Sequence, residues 1–391
     1  MGTRVSRNLT AILFLVLLVI IGSHSAPSCG TTLHVDFGDP IEGIDADIIE
    51  SFEQGRESFR QVVEIGGGLG PGFNARSCAE CHSSPALGGS STVTAIRFSA
   101  GHKELPGGSS LQRFSINPEA CQEIVPIEAT VVAGRLTTPI FGAGLIASIS
   151  DADIEEEEER QTQSKDAING RAAHVIDVAT GLRRVGRFGW KAQQATLLSF
   201  GAEAFLNEMG VTNPLFPKDT APNGDNHALQ ACDQFDDLES TDDDGEGIGK
   251  VNIFMRLLAP PSRGTVTAQV HRGEDAFRAI GCAVCHRPEY RTGRSEFAAL
   301  RYKNVRLFSD LLLHDVGTGD GIRQADARAF ELRTPPLWGL RARQLFMHDG
   351  ATFTLAGAID RHAGEAARVT QRFRSLSSAD TADLLAFLKS L

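Results

Sequence analysis

Two short stretches decide how this chain is read: RSCAECHSSP at positions 76–85 and IGCAVCHRPE at positions 280–289. Each holds a Cys-x-x-Cys-His motif, formed by Cys78, Cys81 and His82 in the first and by Cys282, Cys285 and His286 in the second. Two residues between the thiols let both sulfurs reach the two vinyl groups of one porphyrin from a single helical turn. The histidine that follows then faces the iron as its proximal ligand. A zinc site would need a second ligand pair nearby, and a redox Cys-x-x-Cys pair does not require the histidine. Two such motifs behind an export signal predict two covalently bound haem c groups, with His82 and His286 on the irons.

Working outward, the same landmarks recur around both motifs, in the same order. A Gly-x-x-x-Phe helix precedes each: Gly55 and Phe59, then Gly273 and Phe277. A Thr-Pro turn follows each, in LTTPIFG (136–142) and LRTPPLWG (332–339). A ring residue then stands seven before a leucine of a Thr-Leu pair, Trp190 before Leu197 and His348 before Leu355. Each half closes on an apolar helix, KVNIFMRLL (250–258) and ADLLAFLKSL (382–391), with one buried face at helical spacing. Such a helix should pack across the one that precedes its haem motif. The fold class expected is mainly α: two cytochrome c-like haem domains from a duplication, at 27–261 and 264–391, joined where Pro260 and Pro261 stop the helix. The first is enlarged by a glycine-rich stretch (66–72) and by residues 150–188. In that insertion the acidic run 155–159 reads as a solvated helix face, and 171–189 as a hairpin turning at Thr180-Gly181. The acidic stretch 236–247 reads as a solvated loop, short of the acid spacing of a calcium-binding hand.

The N-terminus carries Arg4 and Arg7, an apolar run from Ala11 to Ile21, then small residues. That run is short for a membrane span, so residues 1–26 read as a signal peptide of a periplasmic or otherwise exported protein, with an uncleaved anchor as the alternative. Three cysteines lie outside the motifs. Cys121 and Cys232 can pair in an oxidising compartment, and Cys29 sits where a lipidated cysteine would, although Pro27 does not suit that signal. The net charge of −11 argues against nucleic acid and anionic membrane surfaces and is compatible with a basic redox partner.

The stretches FNARSCAECHSSPALGG, VGRFGWKAQQATLLSFGAEAFLNEMGVTNPLFP and LRTPPLWGLRARQLFMHDGATFTLAGAIDRHAGEA resemble the bacterial di-haem cytochrome c peroxidases, and within them the di-haem oxidoreductase family. The resemblance runs from about residue 50 to the end. It implies peroxide chemistry at the N-terminal haem, electron relay through the C-terminal haem, a tryptophan between them and calcium between the domains. It matches Trp190 to the bridging tryptophan, Glu208 to the distal acid that assists O–O cleavage, and His362 to the sixth ligand of the second haem. Relatives use Met or Tyr there, so His is a departure. An ordinary small cytochrome c would use Met347 instead, and His348 is a third candidate. A tight turn at Asp349-Gly350 would suit a propionate, and Trp338 would pack on the second haem.

In the repeat, the residue fourteen after Trp190 is Ala204, where His362 stands fourteen after His348. Alanine cannot ligate iron, so the first haem has no ligand from that position, although His102 or Met209 could fill it at rest. Glu208 would serve as general base, with Arg113, Arg135 or Arg187 as donors to developing charge. Three functions compete: a peroxide-reducing oxidoreductase fed by a small redox protein or other donor, a di-haem electron-transfer cytochrome with no substrate of its own, and an oxidase acting on a partner molecule.

Overall fold

A computed structural model describes residues 1–2, 36–164, 167–233 and 246–391. The signal-peptide reading, Cys29 and most of the acidic stretch 236–247 lie outside the described residues.

Each Cys motif is framed by the same helix pair. Ala46–Arg60 packs across Glu246–Leu257, and Ala268–Ile280 packs across Ser378–Leu388. Glycine sets the crossing in both. A Cβ on Gly55 would lie 2.3 Å from the Lys250 carbonyl oxygen, and one on Gly273 would lie 2.0 Å from that of Asp383. The phenylalanines one turn on fill the crossings. Phe59 packs tilted against Phe254 with centroids 4.9 Å apart, and Phe277 against Phe387 at 5.2 Å. The Thr-Leu landmarks are N-caps: Thr196 accepts from the Ser199 N–H (3.2 Å) and Thr354 from the Gly357 N–H (3.0 Å). They start the helices Leu197–Met209 and Leu355–Asp360.

The hairpin in the insertion forms as read, with Ala173–Ile176 antiparallel to Arg183–Gly186 and Gly181 at φ +69° in the turn. A second antiparallel pair, Thr94–Ser99 with Val131–Leu136, lies across the first half. Cys121 and Cys232 are disulfide-bonded, their Cα atoms 5.8 Å apart. The acidic run corrects one expectation. It belongs to the helix Asp151–Gln163, but Glu157 is only 1% exposed and binds Arg160, Arg287 and Gln161. The run is therefore not simply a solvated face, because one of its carboxylates anchors the helix to the second half.

Among the described residues, two large apolar cores result. One, around Phe277, Phe387 and Leu384, lies within the second half. The other, around Phe52, Phe254 and Leu257, also recruits Tyr290, Leu300, Val305 and Leu311. A stretch downstream of the proline junction thus completes the core of the first half.

Candidate functional site

Each Cys-x-x-Cys-His motif opens on its own cavity, of about 180 Å³ in each case. With sizes so close, the contrast between them lies in what lines them.

In the first cavity, Ser77 caps the turn Cys78–Cys81, and the Nδ1–H of His82 donates to the Gly89 carbonyl at 3.0 Å. That bond leaves Nε2 with its lone pair for a metal. Burial lowers the His82 pKa, which keeps the ring neutral as ligation requires. Burial also pushes the Cys78 and Cys81 thiols up to about 12 and about 11. Buried and held neutral, these sulfurs lack the lowered pKa of a redox thiolate. Ala204 and Glu208 also line the cavity. Glu208 Oε2 accepts from Asn74 Nδ2 at 3.0 Å, and its Oε1 lies 3.9 Å from Arg97 Nη2. Burial raises the Glu208 pKa, opposed by the Arg97 charge and the Asn74 bond. The glycine-rich insertion seats this acid: Gly70 N–H donates to the Met209 carbonyl, and Asn74 and Ala75 N–H groups donate to that of Glu208 (3.0, 2.7 and 3.0 Å).

In the second cavity, the His286 Nδ1–H donates to the Phe308 carbonyl (3.1 Å) and the His362 Nδ1–H to that of Ala358 (2.8 Å). Both rings thus offer Nε2. Burial drives His286 down to about 4 and lowers His362. Their ring centroids are 6.5 Å apart. A metal taking a nitrogen from each at roughly 2 Å would stand between centroids roughly 6 Å apart, so the pair fits a six-coordinate haem iron. Met347 and His348 also line this cavity, but the His348 Nδ1 is buried without a hydrogen-bond partner. Burial pushes the Cys282 thiol up to about 12 and raises that of Cys285.

Buried donors without partners give a second test of fit. Arg97 Nε and Arg135 Nη2 belong to residues lining the first cavity, and Arg343 Nε and Nη2 to one lining the second. An unpaired buried guanidinium donor is costly, and haem carboxylates are its natural acceptors. Among the described residues, one group has metal-ligand spacing outside the histidines above: Cys285, Asp310 and His314. There the His314 ring donates Nε2–H to Asp310 (2.8 Å) and Nδ1–H to Glu365 (2.9 Å). Although burial opposes it, the Asp310 carboxylate and the Cys285 sulfur raise the ring's pKa well above 6.5. A protonated imidazole has no lone pair for a metal.

Trp190 lines both cavities. Its Nε1–H donates to the Leu136 carbonyl (2.8 Å), and the Leu136 N–H donates to the His348 carbonyl (2.6 Å). The Arg333 N–H in turn donates to the Trp190 carbonyl at 2.8 Å. The two halves therefore exchange backbone bonds at the Thr-Pro landmarks, and the rings of Trp190 and His348 meet edge-on at 6.1 Å.

Several expectations need correction. Arg187 does not line the first cavity; it is 1% exposed and bound to Asp151 and the Ile149 carbonyl, so it braces the hairpin. His102 also lies elsewhere, its Nδ1–H on the Gly321 carbonyl (3.2 Å), whereas Met209 does line the cavity. Trp338 packs on Gly142 and is absent from the second cavity's wall. Against its burial, Asp349 is held down at about 2 by its hydrogen bonds to Arg361 (2.6 Å), and it does not line the second cavity. Sequence reasoning missed Arg97, Glu203 and Arg343. Glu203 adjoins Ala204 in the first cavity, and burial raises its pKa.

Residues 113–391 match the family model described as "Di-haem oxidoreductase, putative peroxidase". No curated protein matches the chain. Among solved structures, it is similar to a MauG-like protein associated with microbial copper homeostasis, at 16% identity over 94% of this chain and 95% of that one, with a TM-score of 0.42. It is similar to a variant of the diheme peroxidase BthA from Burkholderia thailandensis, at 16% identity over 91% and 88%, with a TM-score of 0.42. The hydrazine synthase of Kuenenia stuttgartiensis matches at 15% identity over 97% and 100%, with a TM-score of 0.40.

Proposed function

Because this chain belongs to the di-haem oxidoreductase family, we propose that it is an exported enzyme that reduces peroxide in its first cavity with electrons received through its second. The observation that carries this reading is the pairing of Ala204 with Glu208 on one cavity wall, where the second cavity has His362. The reading holds that the two halves arose by duplication and diverged at this position. It assigns covalent attachment to Cys78, Cys81, Cys282 and Cys285, and iron ligation to His82, His286 and His362. Haem, when bound, supplies the redox chemistry that divides the O–O bond. The chain's own groups manage the protons and the charge. Glu208, as carboxylate, takes a proton from one peroxide oxygen and delivers it to the other, which leaves as water. Two electrons and two further protons complete the conversion of one peroxide to two waters. Asn74 holds Glu208 at its Oε2, and Arg97 Nη2, beside Glu208 Oε1, faces the developing negative charge. Trp190 stands on the route between the cavities. Electrons enter from a small redox protein at the second half.

Location follows the same logic. Among the described residues no helix is long and apolar enough to cross a membrane. The apolar N-terminal run would act as signal peptide, or as an anchor if left uncleaved. Calcium between the domains is the one expected cofactor for which the described residues present no acidic cluster.

The test is peroxide consumption by the purified two-haem protein, supplied with electrons by a reduced small cytochrome or an electrode. Catalytic, donor-dependent loss of peroxide is the expected result. Rapid reduction of both haems by the donor with no peroxide turnover would instead support an electron-transfer cytochrome, with Met209 as the ligand that closes the first iron.

A further inference from the structure

The wall between the two cavities contains a charge that the proposed chemistry does not use. Lys191, directly after Trp190, has a fully buried side chain. Its ammonium donates to the carbonyls of Ala329 (2.9 Å), Glu331 (2.8 Å) and Arg328 (3.3 Å), and it pairs with Asp320 Oδ1 at 2.9 Å. Asp320 is itself fully buried, and its second oxygen takes the Arg135 Nε–H at 2.7 Å.

Four oxygens from one loop of the second half thus close around a cation carried by the first half. Three carbonyls and a carboxylate are also the donor set a hard metal ion takes from a protein. The same loop grips the backbone on either side of the lysine. The Arg333 N–H donates to the Trp190 carbonyl (2.8 Å), and Arg333 Nε–H to that of Gly189 (3.0 Å). Through Asp320 the cage also reaches Arg135, which lines the first cavity.

We propose that the Lys191 ammonium is the resident cation of the wall between the cavities, filling an oxygen cage that a metal ion would otherwise occupy, and that it positions Trp190 for electron transfer between the haems. Lys191 touches neither cavity, so it is a positioning residue. The consequence is that coupling between the two haems needs no calcium in this protein. The inference rests on both cavities holding haem, and not on peroxide being the substrate.

The experiment follows electron equilibration between the two haems after flash half-reduction of the holoprotein, without peroxide. The wild-type rate should be the same in EGTA as in added calcium chloride. Lys191→Met, which keeps the length and removes the charge, should slow equilibration by roughly tenfold or more, the order that a misplaced positioning group costs. Lys191→Ala, which opens the cage, should be slow in EGTA and recover with added calcium. A wild-type rate that falls in EGTA would overturn the proposal even if neither variant folds. So would a Lys191→Met rate equal to wild type, or a Lys191→Ala rate that calcium fails to restore. A protein that equilibrates as expected but ignores peroxide would sink the proposed function and leave this inference standing.

Discussion

The two cavities are made from the same parts and finished differently. Both have a Gly-crossed helix pair, a Cys-x-x-Cys-His turn and a histidine anchored through Nδ1 on a backbone carbonyl. Opposite that histidine they diverge. The second cavity presents His362 at bis-imidazole spacing, while the first presents Ala204 with Glu203 and Glu208 beside it. On the proposed reading, haem attachment and haem reactivity would be set by separate segments: the motif and its helices would bind the group, and the Thr-capped segment that follows, with His362 just beyond its helix in the second half, would decide whether iron is closed by a ligand or left facing an acid.

The contrast between the cavities can be broken at several points, the largest expected effect first. Glu208→Gln should lower peroxide turnover by roughly 10²–10⁴-fold, the range for removing a general base, while leaving the optical spectrum of the second haem unchanged. The same residue predicts the pH profile. Its pKa is raised, so the carboxylate form accumulates only as pH climbs through a value above the ordinary 4.5. Turnover should therefore fail on the acid side of the profile, and Glu208→Gln should erase that limb.

His362→Ala should convert the second haem from low-spin to high-spin and leave the first untouched, as read by EPR. Gly55→Val and Gly273→Val sharpen the comparison from the other side, because the crossings are alike. Each should cost about 1–3 kcal/mol or more in thermal or denaturant unfolding, the scale of overpacking a close contact. A large loss for one and none for the other would show that the halves are not held by the same device. The smallest effect is expected from Met347→Leu. If His362 is the ligand, this change should leave the EPR signal of the second haem in place.

Much of this was legible in the sequence, and for identifiable reasons. Local spacing carried the haem motifs, the Gly-x-x-x-Phe helices and the hairpin, because each depends on residues a few positions apart. Order of landmarks carried the pairing of Trp190 with His348. The failures all needed tertiary information. Glu157 sits in an acidic run that looks solvated, yet Arg287, far along the chain, draws it inside. Arg187 and Arg97 are indistinguishable by composition, but Arg187 is consumed by Asp151 while Arg97 reaches Glu208. Trp338 follows a Thr-Pro turn as expected and then packs on Gly142, a contact no pattern announces. The Lys191 cage is built mainly from backbone carbonyls, which leave no mark on residue identity.

The proposed chemistry depends on the inequality of the two irons. EPR and optical spectra of the oxidised and half-reduced holoprotein, recorded before and after peroxide is added, measure it. The prediction is one low-spin haem that persists and one haem with a displaceable sixth site whose spectrum changes with peroxide. Two low-spin haems, both indifferent to peroxide in either redox state, would contradict it.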